Sequence, residues 1–176
     1  LREAGVTDIR RRVLRYYRKP DGSYYHITED GQYWRVLSYV YSSVNSSLSD
    51  IPHLRAAGLA FGEFQQYLSD YPAETLYETI PDFHNTPKRY NDFLKAVEED
   101  ICSRAEGVKE EIEFIKNRAE FYGVLLENLK EGKLPLRVSH NDTKINNVML
   151  DAETHGALCV IDLDTIMPGF SVTDFG

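Results

Sequence analysis

Ser139-His140-Asn141-Asp142-Thr143-Lys144-Ile145-Asn146-Asn147-Val148-Met149-Leu150, answered further on by Cys159-Val160-Ile161-Asp162-Leu163-Asp164-Thr165, is the passage on which the reading of this chain turns. Residues 139–144 are six consecutive polar side chains between two apolar runs, and Asn146-Asn147 follows at once. A plain surface hairpin has no need of an Asp, a Lys and two Asn from one loop, although Asn and Asp form turns readily. The second piece is Val/Ile-rich and reads as a buried strand that ends in two carboxylates, Asp162 and Asp164, at i and i+2. Extended geometry would put both on one side. Charge at the end of a buried strand is costly unless it meets a cation.

Those residue types divide the labour of phosphoryl transfer. An Asp takes the proton of an attacking hydroxyl, while an Asn and a second Asp hold Mg²⁺ against nucleotide phosphates. Mg²⁺ wants oxygen ligands, often one or two carboxylates completed by phosphate and water oxygens. Asp142 and Asn147 stand five apart, the spacing in the kinase catalytic-loop pattern H-R-D-x-x-x-x-N. Lys144, two beyond Asp142, is placed to neutralise charge on the group in transit.

Working outward, the whole chain has 176 residues with 20 Lys+Arg against 28 Asp+Glu, a net charge of −8. That length is a prior for one core, and 42% hydrophobic with 27% charged is a globular composition. No run approaches the ~20 apolar residues of a membrane helix, and the start lacks a signal-peptide core. Two cysteines, Cys102 and Cys159, are too few for a secreted disulfide framework, so a reducing, cytoplasmic setting is expected. The acidic balance disfavours nucleic acid as a partner. Seven basic side chains within residues 1–20 read as a solvated edge rather than a polyanion patch. Leu1 at the start and Asp174-Phe175-Gly176 at the end make the chain read as a piece of a longer protein.

Residues 12–41 read as three strands, 13–17, 24–28 and 32–41, separated by Lys19-Pro20-Asp21-Gly22 and Glu29-Asp30-Gly31 turns. The serine-rich stretch 42–50 reads as a hinge between lobes. Helices follow: 54–68, one capped by Thr86 with Pro87 at its first position, and a long one from 108 to 129. The last carries an apolar stripe through Val108, Ile112, Ile115, Ala119, Tyr122, Leu126 and Leu129, and Gly132 and Pro135 stop it. Short strands at 136–139, 147–150 and 157–162 then carry the polar loops.

His140-Asn141-Asp142-x-x-x-x-Asn147 followed by Ile161-Asp162 resembles the aminoglycoside phosphotransferase family of protein-kinase-like small-molecule kinases. The fuller stretches HNDTKINNVMLD and CVIDLDTIMPG look most like the N-acetylhexosamine 1-kinases of that family. The resemblance implies an α+β, protein-kinase-like fold, with a partial N-terminal β lobe (1–43) and a mainly helical C-terminal lobe (44–176) that carries short catalytic-loop strands. It implies Asp142 as catalytic base with Lys144 beside it, and Asn147 and Asp162 as Mg²⁺ ligands with Asp164 next to them. It implies that residues 1–5 end an N-lobe helix and that 39–43, with Tyr39, Val40 and Tyr41, face the adenine of ATP. The family's later acidic residue would match Gly169…Asp174, a structural position. Asp174-Phe175-Gly176 spells the protein-kinase magnesium motif, but Asp162, at a strand end, has the better context for the metal. No G-x-G-x-x-G occurs and Lys19 sits in a turn, so this piece alone is expected to be a poor catalyst.

The expected reaction is MgATP-dependent transfer to the anomeric hydroxyl of an N-acetylhexosamine (GlcNAc or GalNAc). Two rivals stand beside it: another acceptor (an aminoglycoside, choline or homoserine), and a nucleotide-binding module or pseudokinase without turnover. An aminoglycoside, as a polycation, would favour an acidic pocket, and residues 95–131 hold ten acids against six bases. His84, in a polar-aromatic loop, is a candidate substrate contact or a loop-ordering hydrogen-bonder. His140 is expected to orient the loop through a backbone bond. His26, His53 and His155 lack partners at zinc spacing. Tyr33, Trp34, Tyr39 and Tyr41 are candidates for stacking on a base or sugar, or for core.

Overall fold

The computed structural model describes residues 2, 5–41, 43–45 (main chain) and 51–175. The elements run α1 (Ile9–Arg12), β1 (His26–Ile27), β2 (Tyr33–Trp34), β3 (Ser43–Asn45), α2 (Ile51–Tyr67), α3 (Thr86–Glu99), α4 (Lys109–Lys116), α5 (Val124–Lys130), β4 (Arg137–Ser139), β5 (Val148–Asp151), β6 (Ala157–Val160), β7 (Met167–Gly169) and α6 (Ser171–Phe175), an α+β order. Three small antiparallel sheets pair β1 with β2, β3 with β5 and β6, and β4 with β7. Among the described residues no helix is long and apolar enough to cross a membrane.

The centre of the fold is the β3-β5-β6 sheet against α2. Ala56, Ala57, Ala60 and Phe61 of α2 bury against Val148 and Leu150 of β5. Three alanines on one helical face let the sheet approach closely, and the β-branched and γ-branched residues of β5 fill the gap. On the other side of the sheet Val40, Leu158 and Cys159 form a second cluster. Two arginines of α1 tie it and Tyr41 to this core. Arg11 pairs with Asp151 at 2.8 Å and donates to the Tyr41 carbonyl at 3.1 Å, while Arg12 donates to the Ala157 carbonyl at 2.7 Å. Arg15 lies over Tyr17 and Arg18 over Tyr24. Arg11, Arg12, Arg15 and Arg18 of the basic cluster thus make contacts within the fold.

Several expectations change. Residues 13–17 form no extended ladder: Tyr16 makes one isolated bridge to Leu37, flanked by main-chain bonds from Tyr17 to Val36 and from Ser38 to Arg15. The one named strand within 32–41 is the two-residue β2, whose Tyr33 and Trp34 are exposed. The turns are as read, with Gly22 and Gly31 at positive φ. Of the expected hinge, residues 42 and 46–50 lie outside the described residues, but 43–45 is strand β3, registered with Asn45 opposite Met149. The lobe boundary expected after 43 thus falls inside β3. Of the expected terminal helix in 1–5, residues 1, 3 and 4 are outside the described residues, and Gly5 lies in a turn.

The cap of α3 is Asn85, not Thr86: its Oδ1 accepts the Lys88 amide at 3.1 Å, and Thr86 is already helical. The long helix breaks into α4, a 3₁₀ turn at Ala119–Phe121, and α5. At the break Arg118 Nη1 donates to the Phe114 carbonyl at 2.9 Å and the Tyr122 hydroxyl to the Ile115 carbonyl at 2.8 Å. Side chains thus satisfy carbonyls that a continuous helix would have bonded itself. Gly132, at φ 70°, closes α5 by donating to the Leu129 carbonyl, a left-handed end that suits glycine.

Leu150 is the largest of the side chains with almost no exposure (1%). Leu150→Ala should lower unfolding free energy by about 2–5 kcal/mol, read from the denaturant midpoint; a loss under ~1 kcal/mol would mean the β5–α2 contact is not the centre of the core.

Candidate functional site

The loop 140–147 is built on β4 and β5, and its shape follows from a buried carboxylate. Asp174, in α6, accepts the His140 amide through Oδ2 and the Asn141 amide through Oδ1, both at 2.8 Å, and also takes the Gln65 side chain. A 9%-exposed carboxylate is tolerable when backbone N–H groups satisfy it. Asn141 adopts the left-handed conformation at φ 66°, which Asn tolerates. Its Nδ2 donates to the Ser139 carbonyl at 3.1 Å and to the Thr165 carbonyl at 2.9 Å, and the Thr165 hydroxyl returns a bond to the His140 carbonyl at 2.6 Å. Gly169 completes the arrangement by close approach: a Cβ there would lie 2.8 Å from that of Ser139 and 3.0 Å from Asn141 Oδ1.

His140 is fully buried between the edges of Phe61 and Phe64. Its Nε2 lies 2.9 Å from the Ile161 carbonyl, and its Nδ1 lies 3.3 Å from the Asp142 amide. These partners assign Nε2 as donor and Nδ1 as acceptor. The ring therefore joins the loop to the start of the Asp162 turn.

Asp142, Lys144 and Asn147 come together. Asp142 Oδ2 accepts Lys144 Nζ at 2.7 Å and Asn147 Nδ2 at 2.9 Å, and Asn147 Nδ2 also reaches the Asp142 carbonyl at 2.8 Å. The Lys144 ammonium, and after it the Asn147 amide, hold the Asp142 carboxyl below its ordinary value against an opposing push from burial. Asp142 Oδ1 and Asn147 Oδ1 take no hydrogen bond among the described residues. Lys144 Nζ also stands 3.9 Å from Asp162 Oδ2.

Asp162 and Asp164 do not share a side as extended geometry predicted. The strand ends at Val160, Asp162 turns left-handed at φ 61°, and Leu163–Thr165 is a 3₁₀ turn. Asp164 instead has both oxygens 2.6 Å from Arg35 Nη2, and its carbonyl accepts the Thr79 hydroxyl at 3.1 Å. The structure thus puts Asp162 by Lys144 and Asp164 on a cation from the N-terminal sheets. His84 Nε2 lies 3.0 Å from the Asn141 carbonyl, so the side chain is tied to the loop's main chain. Tyr39 and Tyr41 line a wide groove with Tyr16, Tyr17, Trp34 and Arg35, whereas Val40 is buried with Leu158 and Cys159. His53 and His155 lie 3.2 Å apart, and no group of three or more His, Cys, Asp or Glu gathers among the described residues.

Arg35 and Gln65 carry no mark in the sequence. One follows a two-residue strand in an aromatic stretch, the other sits in the last turn of α2, and only the fold brings them to Asp164 and Asp174. Asp174→Asn should cost about 1.5–3 kcal/mol, the range for hydrogen bonds to charged groups, and should speed amide exchange at His140 and Asn141; exchange unchanged at both would refute the anchoring role.

The site is one carboxylate held by a lysine and an asparagine on a buried-aspartate loop, beside a turn that offers a second carboxylate. A model of the phosphotransferase enzyme family APH matches residues 5–176, which takes in this loop, the turn and the elements that carry them. The chain belongs to that family of phosphotransferases, and is an enzyme of kinase type.

Proposed function

We propose that the protein transfers the γ-phosphoryl group of MgATP to the anomeric hydroxyl of an N-acetylhexosamine, GlcNAc or GalNAc, and releases ADP and the sugar 1-phosphate. The observation that carries the phosphoryl-transfer reading is the two-sided environment of Asp142. One oxygen is fixed by Lys144 and Asn147, and the other is left for an acceptor hydroxyl. The sugar as acceptor rests on the likeness of HNDTKINNVMLD and CVIDLDTIMPG to N-acetylhexosamine 1-kinases.

In this reading Asp142 Oδ1 accepts the hydroxyl hydrogen bond and aims the oxygen lone pair at phosphorus. A carboxylate held ionised by Lys144 is a weak base, so orientation comes first and the proton follows as the new O–P bond forms. The bond from the γ-phosphorus to the bridging oxygen breaks, and that oxygen leaves on ADP. Lys144, between Asp142 and Asp162, offsets charge on the equatorial phosphoryl oxygens. The donors left over, the Asn147 amide oxygen and the Asp162 carboxylate, suit Mg²⁺, which takes few protein ligands and completes its shell with phosphate and water. Mg²⁺ bound there would neutralise phosphate charge. Tyr39, largely exposed, offers a ring face to the base in the groove it lines with Tyr41, one face of whose ring is already covered by Arg11. His84, bonded to the Asn141 carbonyl, steadies the loop.

The test is ADP release from MgATP across GlcNAc, GalNAc, an aminoglycoside, choline and homoserine. Turnover with the amino sugars and loss of the product's reducing end are expected. Turnover with another acceptor alone would discard the sugar, and nucleotide binding without turnover across the panel would favour the binding-module rival. Asp142→Ala should lower kcat by about 10²–10⁴-fold, the usual worth of a general base, with nucleotide affinity nearly unchanged.

The pH profile gives a separate check. Asp142 must be ionised to act, so kcat/KM falls as pH drops through its pKa. Because Lys144 is the largest cause holding that pKa down, Lys144→Met should move the acid limb to higher pH as well as lower the plateau. A limb that stays in place would show that another group sets it.

A further inference from the structure

We propose that Arg35 is a positioning residue that fixes the Asp162 turn by holding Asp164, so that Asp162 and not Asp164 is the carboxylate presented to Lys144. The proposal rests on the reading of Asp162 given above. The conformation of Asp162 departs from the extended geometry of the strand before it. Asp162 is a single left-handed residue, φ 61° and ψ 57°, between β6 and a 3₁₀ turn. An Asp pays for that conformation, and such a residue persists only where its surroundings over-determine it. Were the whole stretch 162–164 to relax to extended backbone, Asp164 would swing to the side of Asp162 and the two carboxylates would compete for one cation.

Three ties oppose that relaxation. Thr165 is bonded to the catalytic loop through its hydroxyl and its carbonyl. The Asp164 carbonyl takes the Thr79 hydroxyl. Arg35 Nη2 meets both Asp164 carboxylate oxygens at 2.6 Å. Only the last tie acts on the side chain that would otherwise compete, and it comes from the residue after β2, in the N-terminal sheets. Its own direction is set by Tyr16, whose ring lies under the guanidinium at 5.4 Å and which bridges to Leu37. The Arg35 and Asp164 side chains are about half exposed, 45% and 51%, and exposed pairs add little to global stability. Substitution at Arg35 therefore leaves the fold in place and tests position alone.

The experiment compares the protein with its Arg35→Ala, Arg35→Lys and Asp164→Asn variants and with the Arg35→Ala/Asp164→Asn double variant. Amide exchange is followed across 161–167, and Mn²⁺ binding with ATP is followed by electron paramagnetic resonance. Arg35→Ala and Asp164→Asn should each speed exchange at the Ile166 amide, which donates to the Leu163 carbonyl at 3.3 Å. The increase should be about two- to fivefold, the range of an exposed ion pair, with exchange elsewhere unchanged. Both should weaken Mn²⁺ binding to a similar degree, the double variant should be no worse than either single, and Arg35→Lys should recover part of the loss. Exchange untouched by Arg35→Ala would overturn the proposal. So would Mn²⁺ binding lost in Asp164→Asn but intact or tighter in Arg35→Ala, because Asp164 would then be the ligand itself. Faster exchange in the variants with no Mn²⁺ bound even by the parent would sustain the tie and sink the metal reading instead.

Discussion

A carboxylate buried against two backbone amides holds this site together. Asp174 receives the N–H groups of His140 and Asn141 at the point where β4 ends and the polar loop begins. Two successive amides can converge on one carboxylate only if the backbone turns sharply between them, and Asn141 supplies that turn by going left-handed. With the main chain so fixed, Asp142 leaves the core and projects toward Lys144 and Asn147. The anchor also explains the packing around it. Gly169 has no room for a Cβ beside Ser139 and Asn141, and α6, which carries Asp174, is held against β4.

From that anchor the constraint passes to the Asp162 turn through small polar groups rather than through bulk. His140 bonds the Ile161 carbonyl, Asn141 bonds the Thr165 carbonyl, and Thr165 bonds the His140 carbonyl. Each is a short, buried or half-buried hydrogen bond in a place where water competes poorly, so the set behaves as a unit. The loop bearing Asp142 and the turn bearing Asp162 are therefore one piece of structure, although Ile145 to Val160 lies between their polar residues. The aromatic edges of Phe61 and Phe64 close the piece against α2.

Electrostatics at the open side have the opposite character. Asp142, Lys144 and Asp162 are partly exposed, and their mutual contacts are of the kind that rearrange when a more highly charged group arrives. Rigid scaffold beneath and adjustable charges above is the division expected where binding and positioning, rather than covalent chemistry, carry the rate.

Read alone, the sequence determined which side chains the loop gathers, because Asp142, Lys144 and Asn147 lie within six residues and local geometry brings them together. It likewise determined the turns at Gly22, Gly31 and Gly132, the α2 and α3 helices to within a few residues, and the strands β4, β5 and β6. These depend on short-range backbone preferences and on periodic apolar positions. The tertiary structure decided what depends on particular side-chain contacts. The stripe from Val108 to Leu129 is continuous in sequence, yet the helix is interrupted between α4 and α5, where the Arg118 and Tyr122 side chains take carbonyls of α4. Asp162 and Asp164 look equivalent at i and i+2, yet Arg35, 129 residues away from Asp164, bonds the Asp164 carboxylate directly and acts on Asp162 only through its field. Asn85 displaced Thr86 as a cap because its side chain was the one within reach of the Lys88 amide. Only the Arg35 contact comes from far along the chain; the helix break and the α3 cap rest on side-chain contacts three to seven residues apart, which apolar periodicity alone does not reveal.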